Sequence, residues 1–231
     1  MKTLFIAALL LCCNASSYSQ VVRIPDPIFK QQVIALGYDE NGDGDIQVSE
    51  AQKVTKLYVD KLGIINLEGI NSFINLEELG CYGNKLQLLN ISGLKKLKHL
   101  YAYNNRIEKL NLGDITKLEI LYIQDNFLLA ELDISKLVNL KELFFTNNKI
   151  KKLDVNGLKM LEKIEGGNNR IETAMVNKAP SLISINFRNN PVKTSTIDIR
   201  GLMNLEYFNF EGCGLQFINF SGAFKLKEYR W

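Results

Sequence analysis

The chain has 231 residues, of which 46% are hydrophobic and 23% are charged. This is the composition of a folded globular protein and excludes intrinsic disorder. The formal net charge is only +3, which does not suggest the basic surface that binds nucleic acid. No segment after the first twenty residues reaches the run of about 18 apolar residues that a transmembrane helix requires.

Residues 1–19 have the pattern of a secretory signal peptide. Lys2 supplies the positive charge, Leu4–Leu11 forms a short apolar core, and Ser17-Tyr18-Ser19 offers a small-residue cleavage site. The apolar core is too short to span a bilayer. We therefore expect a protein that is exported to a periplasm, to the cell surface or to the medium.

Two cysteines in this segment, Cys12 and Cys13, raise the alternative of a lipid anchor attached after cleavage. The residue before a lipidated cysteine is normally small, and here it is Leu11 or Cys12. Export without a lipid anchor is therefore the favoured interpretation.

A calcium-binding loop is predicted at residues 39–50. Oxygen-bearing side chains alternate along it, and a hard cation that accepts many oxygens in irregular geometry suits such a set. Gly44, in the middle, permits a sharp turn that a residue with a Cβ adopts poorly. The expected ligand residues are Asp39, Asn41, Asp43, Asp45 through its carbonyl, and Glu50 through both carboxylate oxygens. The segment resembles the twelve-residue EF-hand loop.

Helices are predicted on both sides of this loop. Asp26-Pro27 can begin one helix, which ends near Gly37, and Ser49 can cap a second one that runs through Val54. No second loop is present for Ile46 to pair with, which argues against a calcium-driven switch. We therefore expect residues 20–55 to form a small helical cap over the repeats, with calcium fixing its loop.

A module of about twenty-one residues recurs through residues 56–231. Each copy reads L-x-x-L-x-x-x-x-N-x-[LI], with about eight copies and the last one truncated. Fixed spacing of this kind predicts a solenoid, in which each repeat buries its apolar edge against its neighbours. The asparagine column comprises Asn84, Asn105, Asn126, Asn148, Asn169 and Asn190, with Cys213 in the seventh position.

These two columns resemble the leucine-rich repeat family, and together with the loop they resemble secreted bacterial members, of the internalin-like and Bacteroidetes surface types. The resemblance implies an α/β leucine-rich repeat solenoid with short parallel strands on its concave face, irregular turns on its convex face and a small helical EF-hand cap at its N-terminus. It also implies that the asparagine side chains hydrogen-bond the turn backbone.

Two cysteines, Cys81 and Cys213, follow the leader. They are separated by six repeats, or roughly 29 Å at about 4.8 Å per stacked strand. A disulfide requires Cα atoms within about 7 Å, so both are expected to be buried free thiols.

Aromatic side chains concentrate on the predicted concave face of the first repeats. Strand alternation places six of them there: Tyr58, Tyr82, Tyr101, Tyr103, Tyr122 and Phe144. Exposed aromatic patches mark binding surfaces, since tyrosine and phenylalanine contribute strongly to interface energies. We expect this surface to recognise a protein or a glycan. The alternative is a structural or adhesive spacer whose only ligand is calcium, in which the tyrosines simply suit exposed strands.

An enzymatic role is not expected. His99 is the single histidine, and the sequence has no nucleophile elbow, phosphate-binding loop or C-x-x-C pair. The last copy stops after Leu226 and Tyr229, which leaves a strand edge open. The expected assembly is therefore a monomer or an edge-paired dimer.

Overall fold

A computed structural model describes residues 20–193 and 196–231 of the chain. The predicted signal peptide, with Cys12 and Cys13, lies outside these residues. The described chain contains two short α-helices, α1 (Pro27–Ala35) and α2 (Val48–Ala51), and a 3₁₀ turn at Ile70–Ser72. None of the helices in the described ranges has the length and apolar character needed to cross a membrane.

Fifteen three-residue strands follow the helices. In chain order they are β1 (Lys56–Tyr58), β2 (Glu78–Gly80), β3 (Leu88–Asn90), β4 (His99–Tyr101), β5 (Lys109–Asn111), β6 (Ile120–Tyr122), β7 (Glu142–Phe144), β8 (Lys152–Asp154), β9 (Lys163–Glu165), β10 (Thr173–Met175), β11 (Ser184–Asn186), β12 (Thr196–Asp198), β13 (Tyr207–Asn209), β14 (Phe217–Asn219) and β15 (Glu228–Arg230).

Nine of these strands form one parallel sheet, in the order β1-β2-β4-β6-β7-β9-β11-β13-β15. Equivalent residues of successive repeats pair across the sheet, as Leu100 does with Leu121 and Leu121 with Leu143. The predicted solenoid of short parallel strands is therefore confirmed.

The core is a continuous stack of apolar side chains along the axis of this solenoid. The predicted inward triad Leu97, Leu100 and Ala102 is completely buried, and the leading leucines from Leu76 to Leu205 are buried as well. Most strands bury their central residue and turn the two flanking residues outward, as β4, β6 and β7 do, because successive side chains of a strand point to opposite faces. Repetition of this pattern produces a single unbroken core.

The asparagine column forms the hydrogen-bond ladder that the resemblance implied. Asn126 shows the pattern: its Nδ2 donates to the carbonyls of Ala102 at 3.1 Å and Ile123 at 3.0 Å, and its Oδ1 accepts the N–H of Ile107 at 2.9 Å. Cys213 takes the same position and its Sγ lies 3.0 Å from the Phe187 carbonyl oxygen. These side chains satisfy backbone groups that the turns would otherwise leave buried without partners.

The convex face is more regular than predicted. Short parallel pairs form there between β3 and β5, between β8 and β10, and between β12 and β14. The segment Lys109-Leu110-Asn111 shows why, since an apolar residue between two polar ones has the period of a half-buried strand. The prediction of irregular convex turns was therefore wrong at these three places.

Five of these six convex segments end in a side-chain turn, and the exception is β10, which ends in Met175. In each of the five, the carboxyl or amide oxygen of the last Asn or Asp accepts the N–H two residues on, as Asn90 does from Ser92 and Asp154 from Asn156. Asn and Asp favour this local turn because their short side chains mimic a backbone carbonyl. The recurrence of an Asn at this position thus has a structural cause.

Of the two helices of residues 20–55, α1 has the predicted bounds and α2 is shorter than predicted. Helix α1 begins after Asp26, whose Oδ1 accepts the N–H groups of Ile28 and Phe29, both at 3.0 Å. Helix α2 is a single turn that starts before Ser49 and ends at Ala51, so the predicted extension to Val54 is wrong. The Glu50 carboxylate accepts the N–H of Gln47 at 2.9 Å, which fixes the helix start two residues earlier than expected.

Strand β15 lies at the open end of the sheet. Its three residues are all exposed, and it pairs with β13 on one side only within the described chain. Tyr229 and Trp231 stack on each other with ring centroids 5.4 Å apart. Cys81 and Cys213 are both buried and free, as predicted.

Candidate functional site

Five of the six predicted aromatic side chains form two rows of contacting rings on the concave face, with Tyr101 edge to face against Tyr122 and the other two contacts stacked. In one row, Tyr101 lies 5.5 Å from Tyr122, and Tyr122 stacks on Phe144 at 4.4 Å, between ring centroids. In the other, Tyr82 stacks on Tyr103 at 4.5 Å. The in-register pairing of the strands creates these contacts, because it places equivalent residues of adjacent repeats side by side. We call these five residues the aromatic surface.

Tyr58 lies at one end, outside the stack. Gly80 occupies the next position across the sheet, and a Cβ there would lie 2.6 Å from Tyr58 Cδ1 and 3.0 Å from Asp60 Oδ1. The glycine therefore leaves room for Tyr58 and Asp60 to lean over the backbone. Tyr58 is 44% exposed, whereas the five stacked rings are half-buried.

Two tyrosine hydroxyls are fixed by neighbouring carboxylates. Tyr58 donates to Glu78, and Tyr122 donates to Glu142. The hydrogen bond to Glu78 raises the pKa of Tyr58 to about 12. Burial, followed by the hydrogen bond to Glu142, raises the pKa of Tyr122 well above its usual value. Both phenols therefore remain neutral donors near neutral pH.

Two carboxylates on this face are half-buried and form no ion pair within the described chain: Asp60 and Glu165. Asp60 Oδ1 accepts the N–H of Tyr82 at 3.1 Å, and Glu165 Oε2 accepts from Asn186 Nδ2 at 2.8 Å. Burial raises the pKa of both groups above the ordinary values. Glu78, by contrast, pairs with Lys56 at 2.7 Å, and Glu142 pairs with Lys163 at 3.5 Å.

An open cavity of about 240 Å³ adjoins Glu165, on the side away from the aromatic surface. Its polar lining includes Ser184, Asn186, Tyr207 and Asn209. No sequence pattern predicts this cavity, because its residues are ordinary in type and only the stacking of β9, β11, β13 and β15 brings them together.

The loop at residues 39–50 is held by hydrogen bonds between its own side chains and backbone. Asp39 accepts the N–H groups of Gly42 and Gly44, both at 2.9 Å, and Asp43 Oδ1 accepts that of Asp45 at 2.9 Å. Glu50 Oε1 accepts the N–H of Glu40 at 2.9 Å and that of Asn41 at 3.3 Å. Gly44 has a φ of +82°, as the predicted sharp turn requires.

The predicted ligand side chains lie in one loop but do not converge on one point. Asn41 Nδ2 and Gln47 Nε2 donate to Asp43 Oδ2, at 3.0 and 2.8 Å. Lys30 Nζ reaches from α1 to Asp45 Oδ1 at 2.6 Å. No three acidic, cysteine or histidine side chains of the described residues gather in a metal-binding arrangement. The carboxylate and amide oxygens of the loop are donor types that fit calcium. A flip of the Asn41 and Gln47 side-chain amides would turn their oxygens, in place of their N–H groups, toward Asp43.

A short N-terminal segment pairs with the end of this loop, and no sequence pattern predicts that pairing. Val22 donates its N–H to the Ile46 carbonyl at 2.7 Å, and Val48 donates to the Gln20 carbonyl at 2.7 Å. The two segments form an antiparallel bridge between Val21 and Gln47. Residues 20–22 thus occupy the position that a second loop would take beside Ile46.

One buried carboxylate joins helix α1 to the first repeat. Besides capping the helix, Asp26 accepts the N–H groups of Ile65 at 2.8 Å and Asn66 at 3.1 Å through Oδ2. Burial raises the pKa of Asp26, but the four backbone N–H groups outweigh it and hold the pKa below its ordinary value. The N-terminal region is therefore fixed to the solenoid by a defined contact.

Stacked parallel strands, an axial leucine core and an asparagine ladder define a leucine-rich repeat solenoid. Internalin C2 from Listeria monocytogenes is similar in structure, with a TM-score of 0.63 at 17% sequence identity, over 89% of this chain and 93% of that one. A leucine-rich repeat protein of Leptospira interrogans gives a TM-score of 0.62 at 21% identity, over 80% of this chain. At these identities the likeness establishes the fold.

The chain spans 51% of the Leptospira protein. It spans 65% of the functional domain of InlJ from Listeria monocytogenes, which matches over 90% of this chain at 18% identity with a TM-score of 0.43. No protein-family model matches the sequence, and no curated protein matches it either.

Proposed function

We propose that this chain is an exported recognition protein that binds another protein through the aromatic surface. The observation that carries the proposal is the arrangement of five half-buried rings on the open concave face of a rigid solenoid. Aromatic side chains that are already ordered lose little conformational entropy on binding, and they often dominate interface energies.

Between the two expected ligand classes, the geometry favours a protein. A sugar ring stacks on the open face of an aromatic ring, but Tyr82 and Tyr103 cover each other, as do Tyr122 and Phe144, with interplanar angles of 7° and 9°. Such a row presents edges and hydroxyl groups, which suit apolar and polar side chains of a partner.

The test compares partner binding by a concave variant and a matched convex variant. Tyr101→Ala/Tyr122→Ala/Phe144→Ala removes the central row, and Phe127→Ala/Phe217→Ala/Phe224→Ala removes three aromatic side chains that are exposed outside the aromatic surface. For the protein that the unchanged chain retains, the concave variant should bind at least about 30-fold more weakly, since a buried interface aromatic contributes about 2 kcal/mol or more. Equal binding by the two variants would contradict the proposal and favour the spacer function.

We also propose that calcium stabilises the loop at residues 39–50 and with it the N-terminal cap. Its ligands would be Asp39, Asn41, Asp43 and Glu50, with the carbonyl of Asp45. Support comes from the oxygen-donor spacing, from the positive φ of Gly44 and from the pairing of Ile46 with Val22. The two positive charges of the cation would reduce the repulsion among the neighbouring carboxylates, and the ion would tie the loop to α2 through Glu50.

Calorimetric titration of calcium tests this second proposal. We expect uptake of one ion per chain, abolished by Asp43→Ala and retained by Glu40→Gln. Glu40 lies in the same loop, but its side chain pairs with Lys53 outside it. Absence of uptake by the unchanged chain at millimolar calcium would contradict the proposal.

Export to the cell surface or periplasm completes the proposed function and rests on the signal-peptide pattern of residues 1–19. Cell fractionation tests it: the protein should be found outside the cytoplasm and lack the leader. A protein that stays in the cytoplasm with an intact N-terminus would contradict it.

A further inference from the structure

We propose that Glu165 and its adjoining cavity form a seat for a basic side chain of the partner, an arginine or a lysine. The inference rests on the proposed function, because Glu165 lies next to the aromatic surface. Phe144 is the last ring of the stacked row, and the strand register places Glu165 directly beside it and Asn186 directly beyond.

The carboxylate of Glu165 forms no direct ion pair within the described chain, although Arg188, two residues beyond β11, attracts it from a longer distance. Glu142 on the preceding strand pairs with Lys163 at 3.5 Å, and Glu228 further along pairs with Arg230 at 2.9 Å. Glu165 forms no such pair with any residue that the structure describes, and its carboxylate accepts a hydrogen bond from Asn186. A half-buried charge without a directly bonded counter-ion is costly, and a cation supplied by a partner relieves that cost.

The cavity has the size and lining for this cation. Its volume of about 240 Å³ accommodates a guanidinium or ammonium group with part of its aliphatic stem. Ser184, Asn209 and Tyr207 contribute to the lining, and so do Glu228 and Arg230, which pair with each other. A carboxylate can hold a guanidinium through two parallel hydrogen bonds, and an aromatic ring at the edge adds cation–π attraction.

The charge of the surrounding face is complementary to a cation. The concave positions from β1 to β15 carry six carboxylates and four cationic groups, namely Asp60, Glu78, Glu142, Glu165, Glu211 and Glu228 against Lys56, Lys163, Arg188 and Arg230. The whole chain carries a formal charge of +3, so the acidity is local to this face. Such a field favours the approach of a basic partner and disfavours an acidic one.

Asp60 extends the pattern to the other end of the aromatic surface. Asp60 is, like Glu165, a half-buried concave carboxylate without an ion pair in the described chain, and it lies six strands from Glu165, counting both ends. Five steps of about 4.8 Å place the two groups roughly 24 Å apart. The complementary partner therefore has an apolar patch that faces the aromatic surface. Beside that patch it has a basic residue at the position that meets Glu165.

Small blocked amino acids can test the seat without knowledge of the partner. The probes are Nα-acetyl-arginine amide, the lysine equivalent, and the neutral citrulline equivalent, titrated into the full chain and followed by backbone amide NMR. We expect saturable shifts at residues 165, 186 and 209 with the two cations, with dissociation constants on the order of millimolar for ligands of this size. Citrulline should bind at least about tenfold more weakly.

Glu165→Gln should abolish the cation response, since it keeps the shape and the contact with Asn186 but removes the charge. Glu211→Gln, which removes an exposed charge from the same face, should leave it unchanged. Equal shifts with citrulline, equal responses of the two variants, or no saturable shift at these residues would overturn the inference.

These outcomes are separate from those of the proposed function. If the aromatic triple variant loses the partner while arginine fails to bind at Glu165, the recognition function stands and the basic seat is wrong. If arginine binds and the aromatic variant still retains the partner, the aromatic surface is not the recognition surface.

Discussion

At the scale of single residues, the asparagine ladder holds the turns of the solenoid. Each ladder side chain is buried and bonds backbone groups of its own turn and of the preceding one, as Asn126 does with Ala102 and Ile123. Removal of the amide leaves buried carbonyl and N–H groups without partners, each of which costs about 1–3 kcal/mol.

We therefore expect Asn126→Ala to lower the free energy of unfolding by about 3 kcal/mol. A suitable control is Asn168→Gly, which removes an amide from a second row that lies at the surface, where Asn168 contacts Asn147 at 2.8 Å. Asn168 has a φ of +54°, which glycine adopts without strain. Urea denaturation measures both changes, and an equal loss in the two variants would contradict the assigned role of the buried ladder.

A second prediction concerns Asp26, which joins helix α1 to the first repeat. Its folded-state pKa lies below the unfolded value, so its contribution to stability is present above that unfolded value, near pH 4, and is lost as the pH falls through the folded pKa. Asp26→Ala should lower the free energy of unfolding by roughly 2–4 kcal/mol near neutral pH, because it removes a helix cap and two docking hydrogen bonds.

The pH dependence distinguishes this role from a simple loss of packing. The difference in stability between the unchanged chain and Asp26→Ala should shrink as the pH is lowered from 5 to 2, in thermal melts taken at intervals of about one pH unit. A difference that stays constant over this range would show that the carboxylate charge has no part in the contact.

At the scale of elements, the loop at residues 39–50 is paired with a short segment that precedes it in the chain. Val22 donates its N–H to Ile46, and the bridge aligns Gln20–Val22 with the segment that leads into α2. If calcium binds this loop, the bridge should hold the Asp45 carbonyl and Glu50 in place for the ion.

Val22→Pro should therefore weaken calcium binding by about tenfold, since proline has no N–H to donate. Val21→Pro is the matched control, because Val21 is exposed and its own N–H makes neither of the two bridge hydrogen bonds. Calorimetric titration of both variants checks the prediction. Equal dissociation constants would show that the paired segment has no part in calcium binding by the loop.

The elements also show what the sequence could predict and what it could not. Strands, core leucines and the asparagine ladder follow from columns that hold their spacing, so the pattern of Leu97, Leu100 and Ala102 sufficed to orient every repeat. The bridge of Val22 with Ile46 involves a hydrogen bond between backbone groups, and side-chain patterns carry no signal for it.

The residue just before each asparagine of the ladder has a left-handed backbone conformation. The sequence carries a sign of it that the prediction did not use. Asn104, Asn147, Asn168 and Asn189 have φ values between +54° and +58°, and glycine takes the equivalent place at Gly83 and Gly212. Asparagine and glycine adopt this conformation more readily than other residues, which explains the recurring Asn-Asn pairs. Gly80 was likewise unexplained by the sequence alone, since only the side chains of Tyr58 and Asp60 show why its place must stay open.

At the scale of the whole molecule, the solenoid is a one-dimensional stack whose first repeat needs cover for its apolar end. Residues 20–55 supply it, with Phe29, Val33 and Ile46 completely buried against the repeat core. If the loop binds calcium, the ion should stabilise this end and leave the more distant repeats unaffected.

Calcium at about 2 mM should then raise the free energy of unfolding of the cap by about 1.8 kcal/mol if the dissociation constant is about 0.1 mM. For a chain of this length, that free energy corresponds to a rise of about 5 °C in the melting temperature of the protein. Hydrogen exchange with and without EDTA locates the effect: protection should fall at residues 20–55 and stay unchanged at β9 to β13. A uniform loss along the chain, or none, would contradict a stabilising role confined to the cap.

The concave face is the centre of this account, and site-specific photo-crosslinking tests it most directly. Thr146→benzoylphenylalanine places the probe beside Phe144 on the concave face, and Lys152→benzoylphenylalanine places it on convex strand β8, with both proteins displayed on the cells that produce them. We predict one discrete crosslinked protein from position 146, suppressed by Tyr101→Ala/Tyr122→Ala, and none from position 152. The same products from both positions, or none from position 146, would contradict recognition through this face.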